Sequence, residues 1–412
     1  MNHLNQIKSL PILIVLVTFV SANPSSNMPL GNTVITWILC FTTIACVLYY
    51  KSLYFFPNNR ESYRIVHLYF LWMLCGVIRG YFVAGNYWEG KQLIEGSLAL
   101  SLPVFVYVFS IPQILQTTLR VWIKIALPAF ALFFFWVLHP TAYNSYLDPA
   151  LLLLCFFPII PKKWKIISLS LLVLMIIPAV EARSQAIKAV IALSVGMAYW
   201  ASKFLNIKLL KTVHWLCYIL PIVFLTTGIT GVFNPLEAMG QEAEKLENTK
   251  YTYGEHRTIA DDTRSALYEE IITSAVRNEY VWQGRTPARG NDSWIFGGVS
   301  AEVLKTGVFE RHENEFCHPN VFTWLGLIGV ILYGLIYLKS SYLAIFRSNN
   351  LWMKLLGVFI AFRWAFGWLE DINRFDVINI TLWMMISMGF SEQFRKMTTE
   401  EFNGWILKIF QR

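Results

Sequence analysis

Long apolar blocks separated by short polar connections make up most of the chain. The apolar positions run on continuously and do not alternate one by one, so they fit helices that cross a bilayer, which need about 20 apolar residues each. The same lack of alternation excludes an outer-membrane barrel. The pattern predicts an all-α polytopic membrane protein with about twelve spans, near 9–23, 30–50, 65–84, 92–110, 119–138, 146–161, 164–180, 184–202, 212–232, 319–338, 352–369 and 375–391. One long interruption divides them. Transmembrane helices 1–9 occupy 1–232, a loop 233–318, helices 10–12 residues 319–391, and a tail 392–412.

The loop has 86 residues, and connections of that length are usually functional. Within it, 261–279 reads as an amphipathic helix: Leu267, Ile271 and Ala275 share one face, and Asp261 and Asp262 sit near its start, where acids suit the helix dipole. Gly284 to Asp292 (GRTPARGND) reads as a turn-rich breaker. At the N-terminus, Lys8, the run Leu10 to Val20 and Ser21-Ala22-Asn23 have the form of a signal peptide. A retained first helix is expected instead, because its loss would leave an odd number of spans.

Composition agrees with the pattern. Apolar residues make up 56% of the chain and charged residues 15%, and mean hydropathy is +0.48. Those values exclude a water-soluble enzyme and a disordered chain. The net charge of +8 does not point to nucleic acid, because the 233–318 loop carries −6 and the rest +14, spread over short connections. Lys51, Arg60 and Arg64; Lys162, Lys163 and Lys165; Lys203, Lys208 and Lys211; and Lys339, Arg347 and Lys354 mark one set of connections, with Arg120 and the Arg395-Lys396 tail on the same side. The positive-inside rule then puts both termini in the cytoplasm. In a bacterial inner membrane the loop faces the periplasm. The six cysteines include no CxxC pair, so neither a disulfide framework nor a thiolate metal site is expected.

Ionisable groups near or within spans are candidate functional residues. Arg183 opens the eighth span in EARSQAIKAVIAL, where it either anchors the helix at the interface or binds an anion. Arg264 lies on the loop helix, with Arg257, Arg277, Arg285 and Arg289 as competitors for an anion. His318 stands where the loop enters the tenth span, and His312 six residues earlier is the alternative. Two guanidinium groups suit a diphosphate, and a histidine can take a proton from a sugar hydroxyl. Transfer of a glycan from a lipid diphosphate needs that set. Arg79 and Glu95 form a candidate intramembrane pair, and Arg363, Glu370, Asp371 and Arg374 cluster at the outer end of span eleven as possible support. No P-loop, GxSxG, HExxH or GxGxxG is present. No metal and no cofactor is expected.

In this order of residues the sequence resembles the O-antigen ligase and O-antigen polymerase superfamily of bacterial membrane glycosyltransferases. The motifs are Arg183 before small and apolar residues, Arg264 with Tyr268 four residues on and Gly284 later, and His318 ahead of Gly326-Leu-Ile-Gly329. Asn314-Glu315-Phe316 after His312 resembles a variant of the histidine motif and keeps both histidines in play. A single dominant loop is closer to the ligase branch. The resemblance implies a metal-independent, inverting transfer from an undecaprenyl-diphosphate-linked O-antigen to a sugar hydroxyl of lipid A-core. Arg183 and Arg264 would hold the diphosphate, His318 would act as base, and Arg363, Asp371, Arg374 and Arg289 would be supporting residues. The alternatives are an O-antigen polymerase joining lipid-linked repeats and a flippase of lipid-linked sugars.

Overall fold

A computed structural model describes residues 8–22, 32–57, 59–176, 183–229, 263–294, 296–303 and 306–411. They form an all-α bundle in which six helices are long and apolar enough to cross a membrane. These are α2 (Thr33–Tyr54), α3 (Arg60–Val83), α4 (Tyr87–Phe109), α5 (Pro112–Val137), α10 (Ile207–Thr227) and α12 (Cys317–Phe346). Shorter helices complete the packing: α1 (Ser9–Ser21), α6 (Tyr143–Leu147), α7 (Pro149–Leu154), α8 (Lys162–Ile176), α9 (Arg183–Met197), α13 (Leu351–Phe366) and α14 (Val377–Phe390). A helix of 15 residues is about 22 Å long, short of a hydrocarbon core of about 30 Å. The segment expected as a full span at 375–391 illustrates this, because its helix Val377–Phe390 has 14 residues. Residues 146–161 depart furthest from expectation: two short helices end at Leu154 and the chain continues in turns.

Asn86 caps α4 at the Glu89 amide, Asn350 caps α13 at Met353, and Asp376 caps α14 at Asn379. Pro128 lies in the middle of α5 between two π-helical stretches, Trp122–Ala126 and Phe130–Phe134. Widened turns of that kind are where a helix absorbs a proline. The first helix is part of the bundle: Leu10 and Ile14 are buried, Ser9 Oγ lies 2.7 Å from Tyr50 Oη, and Ser21 Oγ accepts from the Val377 amide. Large apolar side chains stay exposed along α2, α3 and α10, a surface that suits lipid and not water.

The far end of the bundle gathers basic groups. Arg120 donates to the Lys408 carbonyl at 2.7 Å and Arg395 to the Arg347 carbonyl at 3.5 Å. The 392–412 tail is two helices, α15 (Glu392–Lys396) and α16 (Thr399–Ile409), the second started by a Thr398–Glu401 capping box and docked through Phe402, Trp405, Ile406 and Ile409.

At the other end lies the loop. Its helix α11 (Thr263–Arg277) is the one expected from the pattern, and Leu267, Ile271 and Ala275 are all buried. Beyond it the GRTPARGND stretch forms the packed centre of the loop. Arg285 pairs with Asp292 at 2.7 Å and Glu310 at 2.9 Å, and Glu310 also receives Arg289. A two-residue antiparallel pairing of β1 (Asn291–Asp292) with β2 (Glu310–Arg311) closes it. Residues 280–287 then push into the bundle at a break in α12. Gly326 has φ +70 inside α12. The amides freed there donate outward, Leu327 to the Val281 carbonyl at 2.8 Å and Ile328 to Trp282 at 3.3 Å. The Arg285 amide donates to the Thr323 carbonyl at 2.7 Å, and Trp72 Nε1 to that of Leu325 at 2.9 Å. The expected Arg79–Glu95 pair does not form. Arg79 donates to the carbonyls of Gln283 and Gly284, and Glu95 lies 3.8 Å from Lys91.

A Cβ on Gly326 would overlap the Trp282 carbonyl, and a left-handed φ there strains any L side chain. Gly326→Ala is expected to lower stability by at least about 1–3 kcal/mol in detergent. Gly404→Ala, on α16 with open space around it, should raise stability by roughly 0.5–1 kcal/mol. Thermal unfolding of both variants checks the pair, and equal shifts would refute the constrained break.

Candidate functional site

A cavity of about 780 Å³ opens at the loop end of the bundle. Its walls come from distant parts of the chain. Val17, Val20, Trp37, Leu39 and Leu98 give it an apolar side on α1, α2 and α4. Glu95, Gln185, His312, Glu313 and the 370–376 segment between α13 and α14 give it a polar side. A ligand filling both halves is amphipathic.

His312 is placed by the loop's inward push. Its Nε2 lies 2.8 Å from the Pro287 carbonyl and its ring 5.2 Å from that of Trp324. A carbonyl only accepts, so Nε2 carries the proton in the neutral ring and Nδ1 keeps its lone pair. Burial, opposed by the Pro287 bond, pushes the His312 pKa down to about 4. Both the burial and the lowered pKa favour the neutral ring, and His312 is one of the residues that line the cavity.

His318, expected as the base, sits elsewhere. It falls in the first turn of α12, 1% exposed, and is not among the residues lining the cavity. Its Nε2 donates to the Trp364 carbonyl at 2.8 Å, and its ring packs 3.9 Å from that of Trp364 and 4.9 Å from that of Trp368. A Cβ on Gly367 would come within 2.7 Å of the same nitrogen. His318 thus joins α12 to the end of α13. The six-residue offset separates the two histidines because the helix begins at Cys317, between them.

Arg183 and Arg264 each lie in the first turn of a helix, α9 and α11, and their side chains fall outside the described residues. Gln185, two positions after Arg183, lines the cavity. Tyr268, one turn after Arg264, donates to the Trp368 carbonyl and stacks on Phe316 at 5.1 Å, which brings α11 to the edge of the 370–376 wall. Of the competing arginines, Arg257 lies outside the described residues. Arg285 pairs with Asp292 and Glu310, and Arg289 with Glu310 and, at 3.8 Å, with Glu89 of α4, so Arg289 joins the loop to the bundle.

Of the expected group at the end of α13, Arg363 and Asp371 meet, whereas Arg374 turns to Glu313 of the loop. Arg363 donates to Asp371 Oδ2 at 2.9 Å, and Arg374 forms a forked pair with Glu313 at 2.6 and 3.0 Å. Burial pushes the Asp371 pKa up, but Arg363 and Lys188 outweigh it and bring the carboxyl down to about 2. Burial raises Glu313 above the usual carboxylate range in spite of Arg374. Lys188 escaped notice in the sequence, where it reads as an ordinary lysine in a short helix; only its complete burial marks it. Backbone strain gathers here too: buried Thr286 has φ +118 and Asp371 φ +81. Such outliers cluster at functional sites.

Among the described residues, no group of His, Cys, Asp and Glu side chains is arranged to hold a metal ion. Searched against known proteins, the chain matches no family model, no curated protein and no solved structure.

Proposed function

We propose that the protein is a membrane glycosyltransferase that moves a glycan from a polyprenyl-diphosphate carrier to a sugar hydroxyl, with O-antigen ligation onto lipid A-core as the leading case. The observation that carries this reading is the cavity with one apolar and one polar half, lined in part by His312, whose Nε2 is held by the Pro287 carbonyl. The apolar half suits the first isoprene units of the carrier. The acids on the other wall (Glu95, Glu370 and Asp376) suit a sugar, because carboxylates accept bonds from hydroxyls. Arg183 and Arg264 are the cations for the diphosphate, and Arg374 stands close enough to help.

In the proposed step His312 Nδ1 takes the proton from the acceptor hydroxyl as its oxygen attacks the anomeric carbon. The bond to the diphosphate oxygen breaks on the opposite face, and the configuration inverts. The arginines stabilise the charge that collects on the leaving diphosphate. His312 thus replaces His318 as the proposed base, and His318 keeps a packing role. The twelve-span topology, with both termini in the cytoplasm and the cavity on the periplasmic side of a bacterial inner membrane, belongs to the same proposal. It is supported by the basic groups gathered at the end opposite the loop.

His312→Ala should cost at least about a hundredfold in transfer by purified protein, while His318→Ala should lower thermal stability and leave most activity per folded molecule. The reverse ranking would return the base to His318. The pH profile gives a separate check. Activity needs neutral His312, so kcat/KM should stay flat from pH 8 to about 5.5 and fall only as pH approaches about 4. A limb at about 6.5, the value of a solvated histidine, would remove His312 from the role.

Lipopolysaccharide banding in a strain lacking the gene separates the ligase from its neighbours. Loss of all O-antigen bands while polymer accumulates on its lipid carrier identifies a ligase, and one attached repeat in place of a ladder identifies a polymerase. Purified protein that yields no joined product from donor and acceptor in detergent would favour a flippase.

A further inference from the structure

A lysine with no exposed side-chain surface inside an apolar bundle is costly unless its charge is matched. Lys188 on α9 is such a residue, and so is Arg363 on α13. Both donate to one carboxylate, that of Asp371: Lys188 Nζ to Oδ1 and Arg363 Nη2 to Oδ2. Asp371 in turn holds a left-handed backbone that an aspartate seldom adopts, in the middle of the segment that walls the cavity. Behind it the node continues. Both oxygens of buried Asp148, and Nε and Nη1 of Arg363, have no partner among the described residues. Lys188 and Arg363 are not cavity-lining residues, whereas Asp371 and Gln185 are.

We infer that Lys188 is a positioning residue: through Asp371 it ties α9, the helix that Arg183 opens, to the 370–376 wall, and so fixes the diphosphate end of the cavity. The inference rests on the transferase reading above. A neutral side chain at 188 would leave Asp371 with one cation and free the strained wall to relax. The wall would carry Glu370 and Arg374 away from the ligand and release the start of α9.

The full chain in detergent is titrated with farnesyl diphosphate, and thermal unfolding is recorded alongside. Lys188→Met should weaken binding at least about tenfold, and Lys188→Arg, which keeps the charge, less than about threefold. Asp371→Gly suits the positive φ but leaves buried Lys188 and Arg363 without their carboxylate, so it should lower the unfolding temperature and also lose about tenfold in affinity per folded molecule. Read as affinity per folded molecule, this variant decides the matter if Lys188→Met does not fold. Wild-type affinity in Lys188→Met or Asp371→Gly overturns the inference alone, as does a loss of binding that only tracks the loss of folded protein. No binding by the wild-type chain overturns the transferase reading and the inference with it.

Discussion

Backbone amides and carbonyls freed inside an apolar bundle must find partners there, because no water is at hand and each orphan costs several kcal/mol. That constraint shapes the loop end of this molecule. Gly326 breaks α12, and the freed groups on both sides of the break are met by residues 281, 282 and 285 and by Trp72. The loop is thereby pulled inward. Thr286 is carried against Gly80, and Pro287 against Gly96, where a Cβ would crowd it. The Pro287 carbonyl arrives where it can fix the ring of His312. Without the break, the loop would have no hold on the bundle at this point and His312 no fixed tautomer.

A second constraint is electrostatic and acts from behind the cavity. Burying Lys188 and Arg363 is tolerable only because Asp371 answers both, with Asp148 close by. The two devices meet at the cavity from opposite sides, and each contains a residue in a strained backbone conformation. Thr286 stands on the loop side and Asp371 on the wall side. Strain of this kind persists only where surrounding contacts over-determine it. Both sets of contacts are hydrogen bonds that would be weak in water and are strong in a bundle that excludes it.

Apolar periodicity made most of the long helices legible, and the amphipathic pattern of 261–279 located α11 and its buried face. It could not separate a full span from a short helix, because 15 and 20 apolar residues look alike at their centres. Nor could it read the tail, where Phe402, Trp405 and Ile409 dock a helix onto the bundle. The site was harder. Gly326 was visible within its motif, but the need for a positive φ is set by a loop 40 residues away. Gly284 to Asp292 read as a breaker because of Gly284, Pro287, Gly290 and the Asn-Asp pair that ends it, yet its arginines organise the loop's interior. His318 and His312 were equivalent as residue types; the start of α12 between them decided which faces the cavity. Lys188 gave no signal, because burial of a lysine depends on a partner 183 positions away.

Broken helices are also a device of transporters, where freed helix ends are left open to bind a substrate at mid-membrane. Here the break in α12 is differently disposed. The amides of Leu327 and Ile328 and the carbonyls of Thr323 and Leu325 are all engaged by protein, so these four groups are not left open to a ligand. What it does is hold a loop rigidly against the bundle. Alternating access needs the elements around a site to move relative to one another, and a wedge bonded on both sides of a helix break opposes that motion. Catalysis by a positioned base needs the opposite, a histidine whose ring cannot drift from its partner. In the transferase proposed above, the occupied break would serve to keep the Pro287 carbonyl and the His312 ring in fixed register.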